Sequence, residues 1–211
     1  MVRNFVMAAT AAVLLAGCGS PHNLPDAKPE EVARLAYSHD GPPAITLYTM
    51  INNRSGAGAH TSIMINASQR VVFDPAGSVR AKNVPEVGDV LYGITPAVKD
   101  FYERAHARET YHVRIQRIEV TPEVAEQALR LAQARGSVPQ AQCTLSTSGI
   151  LSQLPGFESV GSTWFPNSLA EKFAELPGVE ERKLYEDDED DKAIAIAEFE
   201  NAQKIEQVVT E

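Results

Sequence analysis

Cys143 is the residue of this chain best suited to nucleophilic chemistry. It lies in Gln142-Cys143-Thr144, after a turn that contains Pro139, and it begins a predicted helix that runs to Leu154. The dipole and the unpaired N–H groups of a helix N-terminus favour the thiolate form of a cysteine and can stabilise a developing oxyanion. A catalytic thiol is therefore the favoured interpretation. A buried structural thiol is the alternative, because free cysteines are among the most buried residues.

His60 is the histidine best placed to activate this thiol. It begins a predicted strand directly after a glycine-rich loop over residues 54–59. His112 falls on the polar face of another predicted strand, where we expect solvent exposure, and His106 ends a predicted helix beside charged residues. We therefore expect His60 to act as the general base.

Asp74 is the predicted acid partner of His60. If residues 66–68 connect two antiparallel strands, Ile65 pairs with Gln69 and His60 lies opposite Asp74, with Cβ atoms about 5 Å apart. A carboxylate there would hold the imidazole tautomer and stabilise the imidazolium. A one-residue change of register would place Asp74 on the other face of the sheet. A turn role in Asp-Pro-Ala-Gly is the alternative for this residue.

The order of these three residues resembles that in the circularly permuted branch of the NlpC-type papain-like superfamily, which includes the lecithin:retinol acyltransferase-like proteins. The likeness is carried by residues 58–65, by residues 71–75 and by Gln142-Cys143-Thr144. The resemblance implies a thiol hydrolase or acyltransferase that acts on amide, ester or thioester bonds. It also implies that Cys143 is the nucleophile, His60 the base and Asp74 the residue that orients the base. Many of these proteins have Asn where this chain has Gln142.

The N-terminus has the pattern of a secreted lipoprotein. Arg3 precedes an apolar run over residues 5–16 that is too short to span a bilayer but suits a signal peptide. Residues 15–18 read Leu-Ala-Gly-Cys, which resembles the lipobox of bacterial lipoproteins and implies cleavage before a lipidated Cys18. A plain signal peptide with an incidental cysteine is the alternative. Gly19 after the cysteine implies, by the same resemblance, anchoring at the periplasmic face of the outer membrane.

The cysteine count supports a reactive role for Cys143. The sequence has two cysteines, so Cys143 is the one thiol of the mature chain if Cys18 carries lipid. It then has no intramolecular disulfide partner. An unpaired thiol in an oxidising compartment is a liability unless it is buried or used.

The composition excludes several classes of protein. With 44% hydrophobic and 22% charged residues in 211, the chain has the proportions of an ordinary globular protein rather than a coiled coil or a disordered chain. A net charge of −9 gives no basic surface for a nucleic acid. The sequence contains neither Cys-x-x-Cys nor His-Glu-x-x-His, so no metal and no cofactor is predicted.

Four segments are predicted: a signal peptide over 1–17, the lipidated Cys18 with a proline-rich tether over 18–43, a papain-like domain over 44–180, and an acidic C-terminal tail or helix over 181–211. The tail is the most acidic part of the chain, and its sequence leaves both docking and free exposure open. We expect an α+β fold with a small antiparallel sheet packed against helices. The predicted strands lie near residues 44–51, 60–66, 70–74 and 111–120. The predicted helices, including one capped by Thr121 and one capped by Asn167, lie near residues 96–106, 121–135, 143–154 and 167–176.

These features together predict a cell-envelope lipoprotein that acts as an amidase, peptidase or acyltransferase through a cysteine nucleophile. The membrane, reached through Cys18, and a substrate with a peptide, amide or ester bond are the expected partners. The periplasmic location favours peptides of peptidoglycan as the substrate. A non-catalytic envelope lipoprotein that serves as a binding or scaffolding module is the alternative.

Overall fold

The computed structural model describes residues 25–77 and 79–210 of the chain. Within these residues there are seven strands: β1 Ala44–Asn52, β2 Gly58–Asn66, β3 Arg70–Phe73, β4 Glu86–Val87, β5 Val90–Leu91, β6 Tyr111–Glu119 and β7 Glu180–Leu184. The same residues form six α-helices: α1 Pro29–Leu35, α2 Pro96–His106, α3 Pro122–Arg135, α4 Cys143–Leu151, α5 Pro166–Ala174 and α6 Lys192–Thr210. A short 3₁₀ helix spans Glu158–Val160.

The described strands form one antiparallel sheet in the order β4-β5-β3-β2-β1-β6-β7. Helices cover both of its faces. The predicted α+β fold, with an antiparallel sheet packed against helices, is therefore confirmed.

A separate hydrophobic core lies on each face of the sheet, and β1 contributes to both because its side chains alternate. Ile45 and Leu47 pack with residues of α3, α4 and α5 on one face. Tyr48 and Met50 pack with residues of α2 and α6 on the other. The sheet is consequently buried on both sides, and β1 reads as a nearly continuous apolar run rather than a strict alternation.

Threonine caps set the start of two helices. Thr95 Oγ1 accepts the N–H of Val98 at the start of α2, and Thr121 Oγ1 accepts the N–H of Val124 at the start of α3, as predicted. The predicted cap at Asn167 is wrong. The helix α5 already begins at Pro166, and the Asn167 amide instead donates to the carbonyl of Gly56 at 2.9 Å.

The acidic C-terminal segment docks against the rest of the protein. Residues 180–184 form β7 and pair with β6 from Val113 to Arg117, so the sheet continues across the boundary expected near residue 180. The following helix α6 packs on α2, where the ring of Phe199 stacks on Phe101 with centroids 4.1 Å apart. Of the two arrangements that the sequence leaves open, docking is the one observed.

The described part of the tether also contacts the domain. Ala27 donates its N–H to the carbonyl of Glu86, and Tyr37 accepts the N–H of Arg70 on its carbonyl, each at 2.8 Å. Cys18 and the signal peptide lie outside the described residues. No helix in residues 25–77 and 79–210 has both the length and the apolar composition needed to cross a membrane.

Candidate active site

Cys143 is the first residue of α4 and packs against β2. Its side chain is buried, with 9% of the residue exposed. Ala141 adopts a left-handed φ of 66°, which turns the chain into the helix, and Thr144 of the first turn accepts a hydrogen bond from Thr61 of β2 at 3.3 Å. The helix ladder starts only with the N–H of Ser146, which donates to Gln142. The N–H groups of the first turn, that of Cys143 included, are therefore outside the ladder.

The observed pairing of β2 with β3 corrects the predicted register. Ile65 pairs with Val71 and Ile63 with Phe73, so His60 does not lie directly opposite Asp74. The reason lies in Asn66, which stays in the strand because its amide donates to the carbonyls of Gly41 and Pro42. The connection is thereby moved to residues 67–69.

The predicted contact nevertheless forms. The register differs from the predicted one by two residues, and a shift of two leaves every side chain on its original face. Asp74 follows the end of β3 and reaches His60 diagonally, with 2.6 Å between Asp74 Oδ1 and His60 Nε2. Asp74 also has its alternative turn role, because its carbonyl accepts the N–H of Gly77 at 2.9 Å.

His60 and Asp74 form a charged pair. Burial raises the pKa of Asp74, which is 3% exposed, but the charge and hydrogen bond of His60 outweigh it and lower the pKa to about 2. Burial lowers the pKa of His60, but the charge and hydrogen bond of Asp74, helped by Cys143, raise it to about 9. At neutral pH this site therefore holds an imidazolium beside a carboxylate.

The thiol of Cys143 interacts with the same imidazole. Burial raises the pKa of Cys143, but the hydrogen bond and charge of His60, with hydrogen bonds from the Thr61 backbone and the Thr144 side chain, lower it to about 7. Since Nε2 of His60 is bound to Asp74, Nδ1 is the ring nitrogen left for the thiol. The structure thus places the imidazole of His60 between the thiol of Cys143 and the carboxylate of Asp74, as predicted.

Asp89 positions this site and was not found from the sequence. Its Oδ2 accepts the N–H of Ala76, in the loop after Asp74, at 2.9 Å and the N–H of Val138, in the loop before Cys143, at 2.8 Å. One carboxylate oxygen therefore joins the loop that follows Asp74 to the loop that precedes Cys143. Asp89 lies with Gly88 in the two-residue turn between β4 and β5, and both residues have positive φ. A Gly-Asp pair between two valines is typical of a hairpin turn, and this pattern could have predicted the turn that holds Asp89.

The turn after Asp74 requires a glycine at position 77. A Cβ atom built on Gly77 would lie 1.9 Å from Asp74 Oδ2, so the backbone of this residue packs directly against the carboxylate. Ala76 beside it adopts a left-handed φ of 56°. The carboxylate of Asp74 is consequently enclosed by its own loop on the side away from His60.

A cleft of about 210 Å³ adjoins His60 on the face covered by α2 and α6. The described residues that line it are Met50, Ala59, His60, Ala76, Gly77, His106, Arg108, Tyr111, Asp190 and Lys192. A larger cavity of about 320 Å³ lies at the opposite end of β1 and β2 and is lined by none of the three candidate catalytic residues. The cleft beside His60 is therefore the one that matters to the candidate chemistry.

Two further histidines are buried. His106 ends α2, as predicted, is 4% exposed, and its ring lies nearly parallel to that of His60 with centroids 6.3 Å apart. The expectation that His112 is solvent-exposed is wrong, because it is 8% exposed, binds Asn53 at 2.7 Å and stacks on Tyr185. The face of β6 that was predicted to be open is covered at Gln116 by α5, where Gln116 donates to the carbonyl of Ala170, and at His112 by Tyr185, which follows β7.

In the part of the chain that the structure describes, no group of three or more His, Cys, Asp or Glu side chains is arranged to hold a metal ion. Comparisons with known protein families, with curated proteins and with solved structures find no match to this chain.

Proposed function

We propose that this protein is a thiol hydrolase or acyltransferase of the bacterial cell envelope, with Cys143 as nucleophile, His60 as acid and base, and Asp74 as the residue that orients His60. One observation carries the proposal: the thiol at the start of α4 interacts with an imidazole that Asp74 fixes from its other nitrogen. The likeness to the permuted papain-like proteins supports the same assignment of roles.

The reaction follows from the charges of the site. The Cys143 thiolate adds to the carbonyl carbon of an amide, ester or thioester, and the N–H groups at the start of α4 stabilise the oxyanion. The bond to the leaving group then breaks, and His60 gives that group its proton from Nδ1. Neutral His60 next takes a proton from water, or from an acceptor alcohol or amine, which attacks the thioester carbonyl and releases Cys143.

Asp74 supports both halves of this cycle. Its carboxylate accepts a hydrogen bond from the Nε2–H of His60, which leaves Nδ1 as the nitrogen that exchanges protons with the reactants. Its charge stabilises the imidazolium while the thiolate attacks. Asp74 stays ionised throughout the cycle, because its pKa is about 2.

The cellular setting of the proposal rests on the N-terminal sequence. Residues 15–18 supply the lipobox-like motif, and Cys18 would hold the protein at the periplasmic face of the outer membrane. A periplasmic location favours peptides of the cell wall over cytoplasmic amides, and we propose them as the substrate class.

The pH dependence of iodoacetamide labelling tests the proposal. The full chain carrying Cys18→Ser leaves Cys143 as the one thiol, and we expect half-maximal labelling rate near pH 7. His60→Ala should move this midpoint above that of a free cysteine, because burial alone raises the thiol pKa. His39→Ala is the matched control, since His39 lies at the other end of the sheet, and it should leave the midpoint in place.

The same measurement decides against the proposal if it gives an ordinary thiol profile that His60→Ala does not change. That outcome would favour the alternative of a non-catalytic envelope lipoprotein that binds or scaffolds a partner.

A further inference from the structure

The loop over residues 161–165, which joins the short 3₁₀ helix to α5, carries two adjacent aromatic side chains in water. Trp164 is 55% exposed and Phe165 is 70% exposed. Hydrogen bonds hold this aromatic loop in place: Thr163 donates its N–H to Oγ of buried Ser148 in α4 at 3.0 Å, and Phe165 donates its N–H to Thr163 Oγ1 at 3.2 Å. The fold therefore fixes the backbone of the loop while it leaves both rings exposed.

The aromatic loop lies at the end of the sheet where β1 finishes and β2 begins, which is the end that carries His60. A Cβ atom built on Gly58, the first residue of β2, would lie 2.6 Å from Cβ of Pro166, which directly follows the loop. Asn167 donates to the carbonyl of Gly56 in the preceding loop at 2.9 Å. The aromatic rings are therefore attached close to the strand residues that lead into His60.

The described tether joins the domain at the same end of the sheet. Gly88, in the turn between β4 and β5, donates its N–H to Asp26 Oδ1 at 3.0 Å. The next residue of that turn, Asp89, accepts the N–H of Asp74 on its carbonyl at 2.9 Å. The chain that follows Cys18 consequently enters the domain beside the acid partner of the candidate site.

These positions bring the aromatic loop within reach of a membrane that holds Cys18. Asp26 follows Cys18 by eight residues, and a chain of that length spans at most about 28 Å. The strand β4, which the tether contacts, and β2, which the aromatic loop contacts, are three positions apart in the sheet, or about 14 Å. The tether is therefore long enough for the anchor and the loop to meet one bilayer.

The composition around the loop suits lipid. Residues 159–170 and the adjoining residues 55–59 contain no charged side chain. A net charge of −9 gives the chain no general attraction to anionic lipids, so contact with a bilayer has to come from apolar burial. Tryptophan is the side chain most typical of the boundary between lipid headgroups and acyl chains, and phenylalanine adds apolar area.

We propose that the aromatic loop is a second membrane contact, in which Trp164 and Phe165 insert into the headgroup region of the bilayer that holds Cys18. This inference rests on the lipid anchor in the proposed function and does not depend on the thiol chemistry. The contact brings the His60 end of the sheet to the membrane surface. The cleft beside His60 lies on the opposite face of the sheet from α4 and α5, so the loop touches lipid without filling the cleft.

Fluorescence tests the contact directly, because Trp164 is the one tryptophan of the chain. The full chain carrying Cys143→Ala is processed in a bacterium that makes lipoproteins and is added to phosphatidylcholine vesicles with bromine on the acyl chains near the headgroup. We expect bromine to quench Trp164 and the emission to lie at shorter wavelength than in water. Phe165→Ser should lower the ratio of inserted to free loop by about tenfold, with a matching loss of quenching, because one buried ring is removed.

Ile205→Trp in a Trp164→Phe background is the matched control. Ile205 is 66% exposed and lies about 20 Å along α6 from Lys192, which lines the cleft at the His60 end, so this probe should not be quenched. The inference is overturned if Trp164 is quenched no more than the control probe or if Phe165→Ser leaves the quenching unchanged.

Two further outcomes also overturn it. Emission that follows the density of protein on the vesicles rather than the bromine would assign the loop to a second copy of the chain. Mass spectrometry that finds no lipid on Cys18 would remove the premise. Since Cys143 is absent from this experiment, all of these outcomes are independent of the iodoacetamide result that tests the thiol chemistry.

Discussion

His60 and Asp74 meet at 2.6 Å across the end of β3, although the strand pairing does not place them opposite each other. The contact depends on the charge of Asp74 as well as on its position. Asp74→Asn keeps an acceptor but removes the charge, so the pKa of His60 should fall from about 9 and that of Cys143 should rise from about 7. Labelling of Cys143 by iodoacetamide at pH 7 should slow by about fivefold for the first unit of rise in the thiol pKa and by about tenfold for each further unit. We expect a smaller effect than that of His60→Ala, and an unchanged labelling rate would contradict the pairing.

The two neighbouring histidines should titrate at opposite ends of the pH range. His60 should stay protonated up to about pH 9, because Asp74 stabilises its charge, and His106 should stay neutral down to about pH 3, because it is buried. Ring C–H chemical shifts, followed by NMR in the full chain with Cys18→Ser, measure both midpoints. His106→Gln assigns the signals by removing one of them. Midpoints near 6.5 for both rings would contradict the electrostatic description of the site.

Linkage gives His106 an effect on stability with a definite sign. Its folded pKa lies below its unfolded value, so its neutral form favours the folded state fully above about pH 6.5. As the pH falls from there toward about 3, the unfolded chain takes up a proton that the folded chain excludes, and the free energy of unfolding decreases. Urea unfolding at pH 7 and pH 5 should show this loss. The loss should be smaller in His106→Gln, and an equal loss in both proteins would exclude His106 as its cause.

Asp89 should affect both stability and reactivity. Asp89→Gly removes the carboxylate while suiting the left-handed φ of 61°, so the N–H groups of Ala76 and Val138 lose their acceptor without added strain. We expect a loss of roughly 1–3 kcal/mol in the free energy of unfolding and a labelling midpoint of Cys143 that moves upward. Asp89→Asn keeps an acceptor oxygen and tolerates the same φ, so it should remain close to the parent protein. Equal behaviour of the two variants would refute the positioning role.

Two glycine-to-alanine substitutions test whether the reactivity of Cys143 requires the absence of a Cβ at position 77. Gly77→Ala places a Cβ against the Asp74 carboxylate and should displace it, raise the labelling midpoint of Cys143 and destabilise the fold. Gly149→Ala, in α4, meets no atom within 4 Å and should leave the midpoint unchanged while stabilising the helix by up to about 1 kcal/mol. Thermal unfolding and labelling of the two variants provide the comparison. If Gly77→Ala labels like the parent, the enclosure of Asp74 has no role in reactivity.

Mass spectrometry of the mature N-terminus tests the anchor. The full chain, expressed in a bacterium that processes lipoproteins, should begin at a lipidated Cys18, because residues 15–18 have the required small residues before the cysteine. Cys18→Ser should accumulate as unprocessed or unlipidated protein, whereas Cys143→Ser should be lipidated normally. A free Cys18 thiol in the mature protein would end the lipoprotein interpretation.

The strands and the order of the candidate site residues could be predicted because their signals are local. Apolar and β-branched runs mark β1, β2 and β6, and a cysteine that follows a turn marks the start of α4. The register between β2 and β3 could not be derived in the same way. It depends on hydrogen bonds from Asn66 to carbonyls more than twenty residues away, and a sequence does not display such partners.

The cleft was beyond prediction for a related reason. The sequence shows three ionisable residues near helix ends, which are common at any surface: His106, Arg108 and Lys192. They converge because α6 docks on α2 through Phe199 and Phe101, and this contact joins segments almost a hundred residues apart. Asp89 was missed because a turn aspartate gives no indication of which distant N–H groups it will accept.

The positions of β7 and α6 after Cys143 in the sequence fix the order in which the parts of the site are made. A ribosome makes β7 and α6 after the other described elements, so the edge of β6 stays open and the cleft lacks Lys192 while those elements emerge. Cys143, His60 and Asp74 are all made before that point. In the proposed thiol enzyme, the growing chain therefore carries its nucleophile before the cleft beside His60 is complete.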